Sequence, residues 1–232
     1  FGVKEQWIEE EGTSEKTYSK REVLQFIFSR PMLIMMIVIS MFIQIAHFSV
    51  QPILALYVSE INGPANLALM SGIAFSVTGL GNLLMTRRWG MIADRVGYEK
   101  ILILLLILAG IVYLPGAFVT SVWQLVIVRF LLGVTLGGVI PVRMAYIRQV
   151  APISIQGEVL GYNTSLRFLG NVIGPVLGGV IAGFYGISFV FIVTSGLLIF
   201  SGLTLLFTKW RETEGKTSRT VSTRRGQVHK HS

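Results

Sequence analysis

The residues best placed to do chemistry are polar groups set into long apolar runs. Ser40, Gln44, His47 and Gln51 recur at i, i+4, i+7 and i+11. On a 3.6-residue period that spacing draws one polar face along an otherwise apolar helix. Hydrocarbon penalises such a face, so it is expected to point at a cavity or at another helix. His47 is the one histidine among them, able to titrate near neutral pH or to hold a solute. A histidine hydrogen-bonded between helices fits the same position. Ser71, Thr78 and Asn82 make a weaker stripe, and Asn163, Arg167 and Asn171 recur every four residues. Gln44, His47, Gln51, Asn82, Asn163 and Asn171 are therefore the candidate cavity-lining set.

Two of these apolar runs carry an arginine. Arg129, Gly133 and Gly137 share one helix face, and the two glycines would let another backbone approach closely. A charge at membrane depth costs several kcal/mol unless it is paired, snorkels or faces water. Arg129 either has a functional partner or snorkels to the nearer end of its helix. Arg167 is the second intramembrane charge. Beyond it Gly170, Gly174 and Gly178 repeat at four-residue spacing, with Pro175 and Gly179 completing a Gly-Pro-Val-Leu-Gly-Gly block. Glycines in such a row permit close packing, and a proline inside a helix removes a hydrogen bond and invites a kink.

The acids are as informative as the bases. Of the twelve, Glu5, Glu9, Glu10, Glu11, Glu15 and Glu22 precede the apolar runs, and Glu212 and Glu214 follow them. Glu60, Asp94, Glu99 and Glu158 sit between runs or at their edges, so none is deep in a run. A proton-coupled mechanism commonly relays through an intramembrane carboxylate; here His47 would have to substitute, or the relay belongs to sequence outside this chain. Cysteine is absent, which excludes a disulfide framework, a thiolate metal site and a cysteine nucleophile. The histidines are His47, His229 and His231, which form no metal-ligand cluster. With no legible nucleophile, base and acid set, the chain is read as non-enzymatic, without metal or cofactor.

These residues need elements to hold them, and the composition says which. The 232 residues are 52% hydrophobic and 14% charged, against about 25% charged in a soluble domain. Crossing roughly 30 Å of hydrocarbon takes about 20 apolar residues as a helix. Six runs qualify, at 32–57, 67–86, 101–118, 122–146, 158–183 and 188–208. Lipid leaves only helices or a closed barrel, and uninterrupted runs such as 101–108 do not alternate as barrel strands would. Eighteen of the twenty lysines and arginines fall before the first run, in the second-to-third and fourth-to-fifth connections (the latter Arg143 and Arg148), and after the last. The opposite connections, around 60–66, 115–121 and 184–186, hold none. By the positive-inside rule both termini are cytoplasmic. The net charge of +8 therefore reflects membrane topology and not a nucleic-acid partner. Tyr57, Trp89, Trp123 and Trp210, near run ends, suit an interfacial aromatic belt.

The second-to-third connection reads Gly90-Met-Ile-Ala-Asp94-Arg95-Val-Gly97-Tyr-Glu-Lys100. A loop that only set topology would need the bases but not that glycine and aspartate spacing. It resembles the loop signature of the major facilitator superfamily, carried between the second and third spans of each half. The resemblance implies that Gly90, Asp94, Arg95, Gly97 and Lys100 govern switching between outward- and inward-facing states. The Arg-x-x-x-Gly pattern at Arg129 is similar to the family's fourth-span motif, linked to proton coupling. The block over Gly170, Gly174, Pro175, Gly178 and Gly179 resembles the antiporter motif of the drug:proton exchangers.

The resemblance covers residues 31–208 and implies an all-α membrane protein: a six-transmembrane-helix half of a major facilitator fold. Residues 1–30 are then the cytoplasmic end of the central inter-half loop, 31–208 the transmembrane domain, and 209–232 a basic, disordered cytoplasmic tail. The partners implied are the lipid bilayer, a small-molecule substrate, protons and an N-terminal six-helix half. The implied activity is proton-coupled efflux of small amphipathic compounds at the cell membrane. A sugar or metabolite exporter on the same scaffold is the alternative, and a non-transporting membrane scaffold is the rival of another class.

Overall fold

The structure is a computed structural model that describes residues 19–64 and 66–228. Of the expected inter-half segment, residues 1–18 lie outside the described residues, as do 229–232 of the tail. A short helix, α1 (Lys20–Phe28), comes first. Its start is a capping arrangement: the Glu22 carboxylate accepts the Ser19 backbone N–H at 2.8 Å. Val23 and Ile27 bury themselves with Leu33, Ile37, Ile147, Ala151, Ile155 and Val159. This segment was expected to be loop; its Ser-x-x-Glu signature and apolar i, i+4 pair explain why it folds as a docked helix.

Among the described residues six helical units are long and apolar enough to cross a membrane: Pro31–Asn62, Leu67–Val96, Tyr98–Ala117, Val122–Val150, Ile153–Tyr185 and Ile187–Glu214. The protein is an integral membrane protein. The first unit is α2 (Pro31–Val50) followed by α3 (Leu54–Asn62). The break between them falls at Pro52, which has no N–H to give and whose ring crowds the preceding turn. The second unit is α4 (Leu67–Val96), and the third α5 (Tyr98–Tyr113) with a 3-10 turn at Leu114–Ala117 around Pro115. The fourth is α6 (Val122–Leu136) and α7 (Val139–Val150), interrupted at Gly137-Gly138. The fifth and sixth are α8 (Ile153–Tyr185), unbroken through Pro175, and α9 (Ile187–Val228).

Four sequence-based boundaries require correction. The connection at 87–100 is helical except at Gly97, so the charges Arg87, Arg88, Asp94 and Arg95 ride on an extension of α4. Apolar residues (Trp89, Met91, Ile92, Ala93, Val96) alternate with those charges in a pattern a helix tolerates. Arg143 is not a connection residue: it lies on α7 and is 1% exposed. Tyr57, expected in an interfacial belt, is buried, with its hydroxyl donating to the Gly116 carbonyl at 2.9 Å. The tail expected to be disordered from 209 continues as α9 to Val228. Over its first turns two side chains tie it down: Lys209 pairs with Glu99 at 3.0 Å, and Glu212 accepts the Met32 amide at 3.2 Å.

The units pack in pairs. α2 packs chiefly on α8, α4 on α6, and α5 on α9. The α2/α8 pair leans on α9 and the α4/α6 pair on α5. Exchanging the first three units with the last three turns the α2/α8 pair into the α6/α4 pair and returns α5/α9 to itself. The pairing is that of a duplicated three-helix repeat. The α5/α9 layer holds much of the apolar core, with Leu102, Leu105, Leu106, Val190, Phe191 and Leu198 buried. Two of its buried hydroxyls are satisfied by neighbours: Ser195 Oγ donates to the Gly110 carbonyl at 2.7 Å, and the Thr194 hydroxyl meets that of Ser49 on α2 at 3.1 Å.

Candidate functional site

The two symmetry-related pairs are built the same way, by glycine against backbone. On α8, a Cβ added at Gly170 would lie 2.6 Å from the Met41 carbonyl oxygen, and one at Gly174 3.0 Å from that of Ile45. At Gly178 it would run into the Ser49 carbonyl. Three successive turns of α8 thus lie against three turns of α2, which leaves no room for any side chain larger than hydrogen. Gly179 points away, with open space where its Cβ would stand. On the other pair Gly133 abuts the Thr78 carbonyl of α4, and a Cβ at Gly137 would meet the Asn82 carbonyl oxygen at 2.9 Å. Pro175 lies half-buried within the α8 row.

Close packing of these backbones sets the polar side chains beside them. His47 and Arg129 come within electrostatic range of one another, as do Arg129 and Tyr113 of α5. Arg129 is 2% exposed, and its Nε and Nη2 have no acceptor. The alternative in which Arg129 snorkels to the helix end is therefore not what the structure adopts. His47 Nε2 meets the Gln51 side-chain amide at 3.0 Å, leaving Nδ1 unpartnered. The Tyr113 hydroxyl is buried without a partner too. This first group joins α2, α5 and α6 around one cation.

A second group lies toward the basic end, on α7 and α8. Arg143 feels the charge of Arg167. Asn163 is wholly buried, with both side-chain polar atoms unpartnered. Arg167 is half-buried with an unpartnered Nε, and lies 5.8 Å over the Phe168 ring. Arg143 was missed as a site residue because topology counting assigned it to a connection. It stands fourteen residues after Arg129, close to four helical turns, and that spacing was the signal that could have found it.

The remaining candidates lie apart. Gln44 is half-buried at the α2/α8 contact beside Gly170, and Asn171 is half-buried with its Oδ1 unpartnered. Asn82 sits beside Gly137, where Thr86 Oγ1 also donates to the Gly137 carbonyl at 3.0 Å. The 90–100 segment forms a separate feature at the basic end. Gly97 adopts φ +107°, a conformation costly for any residue with a Cβ, and this reverses the chain between α4 and α5. Asp94 is exposed and accepts the Tyr98 hydroxyl at 2.6 Å. Arg95 and Lys100 are exposed, and a Cβ at Gly90 would meet nothing. Among the described residues no group of three or more His, Cys, Asp or Glu could hold a metal ion.

A six-helix bundle of paired three-helix repeats, glycine-packed and carrying buried polar groups, is the architecture of one half of a major facilitator fold. The chain belongs to the Major Facilitator Superfamily, whose family profile matches residues 36–230. It is 51% identical over 207 residues to YuxJ of Bacillus subtilis, described as an uncharacterized MFS-type transporter, covering 89% of this chain and 53% of that protein. It is 39% identical over 184 residues to the multidrug resistance protein MdtG of Salmonella typhimurium, covering 79% of this chain and 46% of MdtG. The chain thus spans about half the length of the curated relatives it matches. Among solved structures, a bacterial homologue of the human lysosomal transporter Spinster, inward-facing and unoccupied, superposes with a TM-score of 0.68 over 82% of this chain and 44% of that one, at 17% identity. That likeness concerns the fold. Relatives of this kind mark the chain as part of a transporter and not of an enzyme.

Proposed function

We propose that this chain is the C-terminal half of a secondary transporter that exports small amphipathic compounds from the cell by alternating access, driven by protons. The observation that carries the reading is the set of polar atoms at membrane depth, on Arg129, His47, Asn163, Arg167 and Asn171, that find no partner within the half. A self-contained scaffold would satisfy such atoms or replace them with apolar groups. A transporter leaves them for a solute, for water, or for the facing half. Similarity to the multidrug resistance protein MdtG favours efflux of varied compounds.

In this reading the basic end is cytoplasmic, and the sparsely buried α4 and α8 present their outer apolar faces to lipid and to an N-terminal six-helix half. The segment holding Gly90, Asp94, Arg95, Gly97 and Lys100 then acts at the cytoplasmic gate. Among the described residues no carboxylate lies deep in a span, so His47 beside Arg129 is the proton-responsive group of this half. A relay carboxylate belongs to the other half. The test is efflux of a fluorescent dye from cells expressing the full-length parent, with and without a protonophore. Collapse of efflux with the gradient supports the reading, and efflux that persists without it sinks proton coupling.

A further inference from the structure

The second polar group has a charge balance that the half cannot meet. All three guanidinium nitrogens of Arg143 are buried, and none has an acceptor. The buried Asn163, also unpartnered, lies one turn along α8 from Val159, and Val159 shares an apolar cluster with Ile147, one turn along α7 from Arg143. Arg167 is one turn further along α8. The acids near this end are otherwise engaged or face outward: Glu99 holds Lys209, Glu212 holds the Met32 amide, and Glu158 is exposed. Two guanidinium groups and a buried amide thus converge without an anion. A buried ion without a counter-charge costs several kcal/mol, so the position is expected to be filled in the working protein.

We propose that Arg143, Arg167 and Asn163 form an anion site that takes the carboxylate of an amphipathic substrate. The inference rests on the transport reading above and narrows it, from amphipathic compounds in general to organic acids. A guanidinium fork matches a carboxylate in two parallel hydrogen bonds, and the Asn163 amide supplies a further donor. Arg167, half-exposed, forms the entrance and Arg143 the inner end.

The experiment uses the full-length parent protein in liposomes with two dansyl-labelled probes of equal chain length, undecanoic acid and undecylamine. Binding is read from dansyl fluorescence. The acid is expected to bind at least about tenfold more tightly than the amine, and R143Q or R167Q to weaken the acid about tenfold while leaving the amine nearly unchanged. Because R143Q removes a buried side chain, a thermal melt without ligand accompanies each variant. The half-exposed R167Q keeps the test decisive if R143Q does not fold. Equal or tighter binding of the amine overturns the proposal, as does acid affinity unchanged in R167Q. Wild-type protein that ignores the acid while both variants melt earlier assigns the arginines to a carboxylate of the other half, and also overturns it. Transport separates the two readings. Export of the amine alone sinks the anion site and spares the transporter, whereas tight acid binding without export of any probe or dye does the reverse.

Discussion

Glu212, near the end of the sixth span, accepts a hydrogen bond from the Met32 backbone amide at the first turn of the first span, at 3.2 Å. Arg30 precedes that turn without a capping bond and Pro31 has no N–H, so Met32 offers an amide with no partner inside its helix. A carboxylate there also meets the positive end of the α2 dipole. One turn earlier on α9, Lys209 reaches Glu99 in the first turn of α5 at 3.0 Å. The last span thereby ties together the starts of the first and third spans at the basic end.

Removing that cap has a measurable consequence. Glu212→Ala should lower the stability of the detergent-solubilised parent by about 1 kcal/mol, the usual worth of a helix cap. Lys209→Ala breaks a partly exposed ion pair and should cost less, about 0–1 kcal/mol. Thermal melts of the two variants decide the order, and a larger loss at Lys209 would contradict the capping account.

Neighbouring glycines on α8 make a sharper pair. Gly178→Val places a side chain in the Ser49 carbonyl and should separate α2 from α8, with a loss of several kcal/mol or failure to fold. Gly179→Val points into open space and should be tolerated. Monodispersity and melting temperature after solubilisation report the difference. Equal behaviour of the two variants would refute the α2/α8 contact.

Gly97 and Gly90 differ for a conformational reason. Gly97→Ala forces a Cβ into φ +107° and should destabilise the α4–α5 reversal by about 1–3 kcal/mol. Gly90→Ala, inside a helix and facing open space, should be neutral or mildly stabilising. Should both melt alike, the reversal at Gly97 is not as described.

Asp94 tests gating apart from folding. Asp94→Asn removes a charge from an exposed position, so insertion and melting temperature should hold while efflux falls about tenfold or more, the worth of one charged hydrogen bond. Tyr98→Phe removes the 2.6 Å hydrogen bond to the same carboxylate and separates that contact from the charge itself. If Asp94→Asn leaves efflux rates intact, the gating role fails.

Much of this protein is legible in its sequence. Block hydrophobicity yields six membrane helices because backbone amides in hydrocarbon must be bonded within their own segment. The glycine rows on α6 and α8 and the polar rows on α2 and α8 are periodic features, and helical period alone tells which residues share a face. What periodicity cannot tell is which partner a face meets, and tertiary structure decided that. It set Gly170, Gly174 and Gly178 on α2, and Gly133 on α4, through contacts between residues far apart in the chain. It also decided the fate of charges near helix ends. Arg143 counts as a topology signal by composition and proves a buried cation by packing, because rules based on charge number ignore which way a side chain points. The segment 87–96 reads as loop by polarity and forms helix, since an extended membrane helix keeps its backbone bonded wherever water meets its side chains. Sequence by itself determined the solvent and the number of spans. Only the tertiary structure decided that Arg143 and Asn163 would be buried without a hydrogen-bond partner.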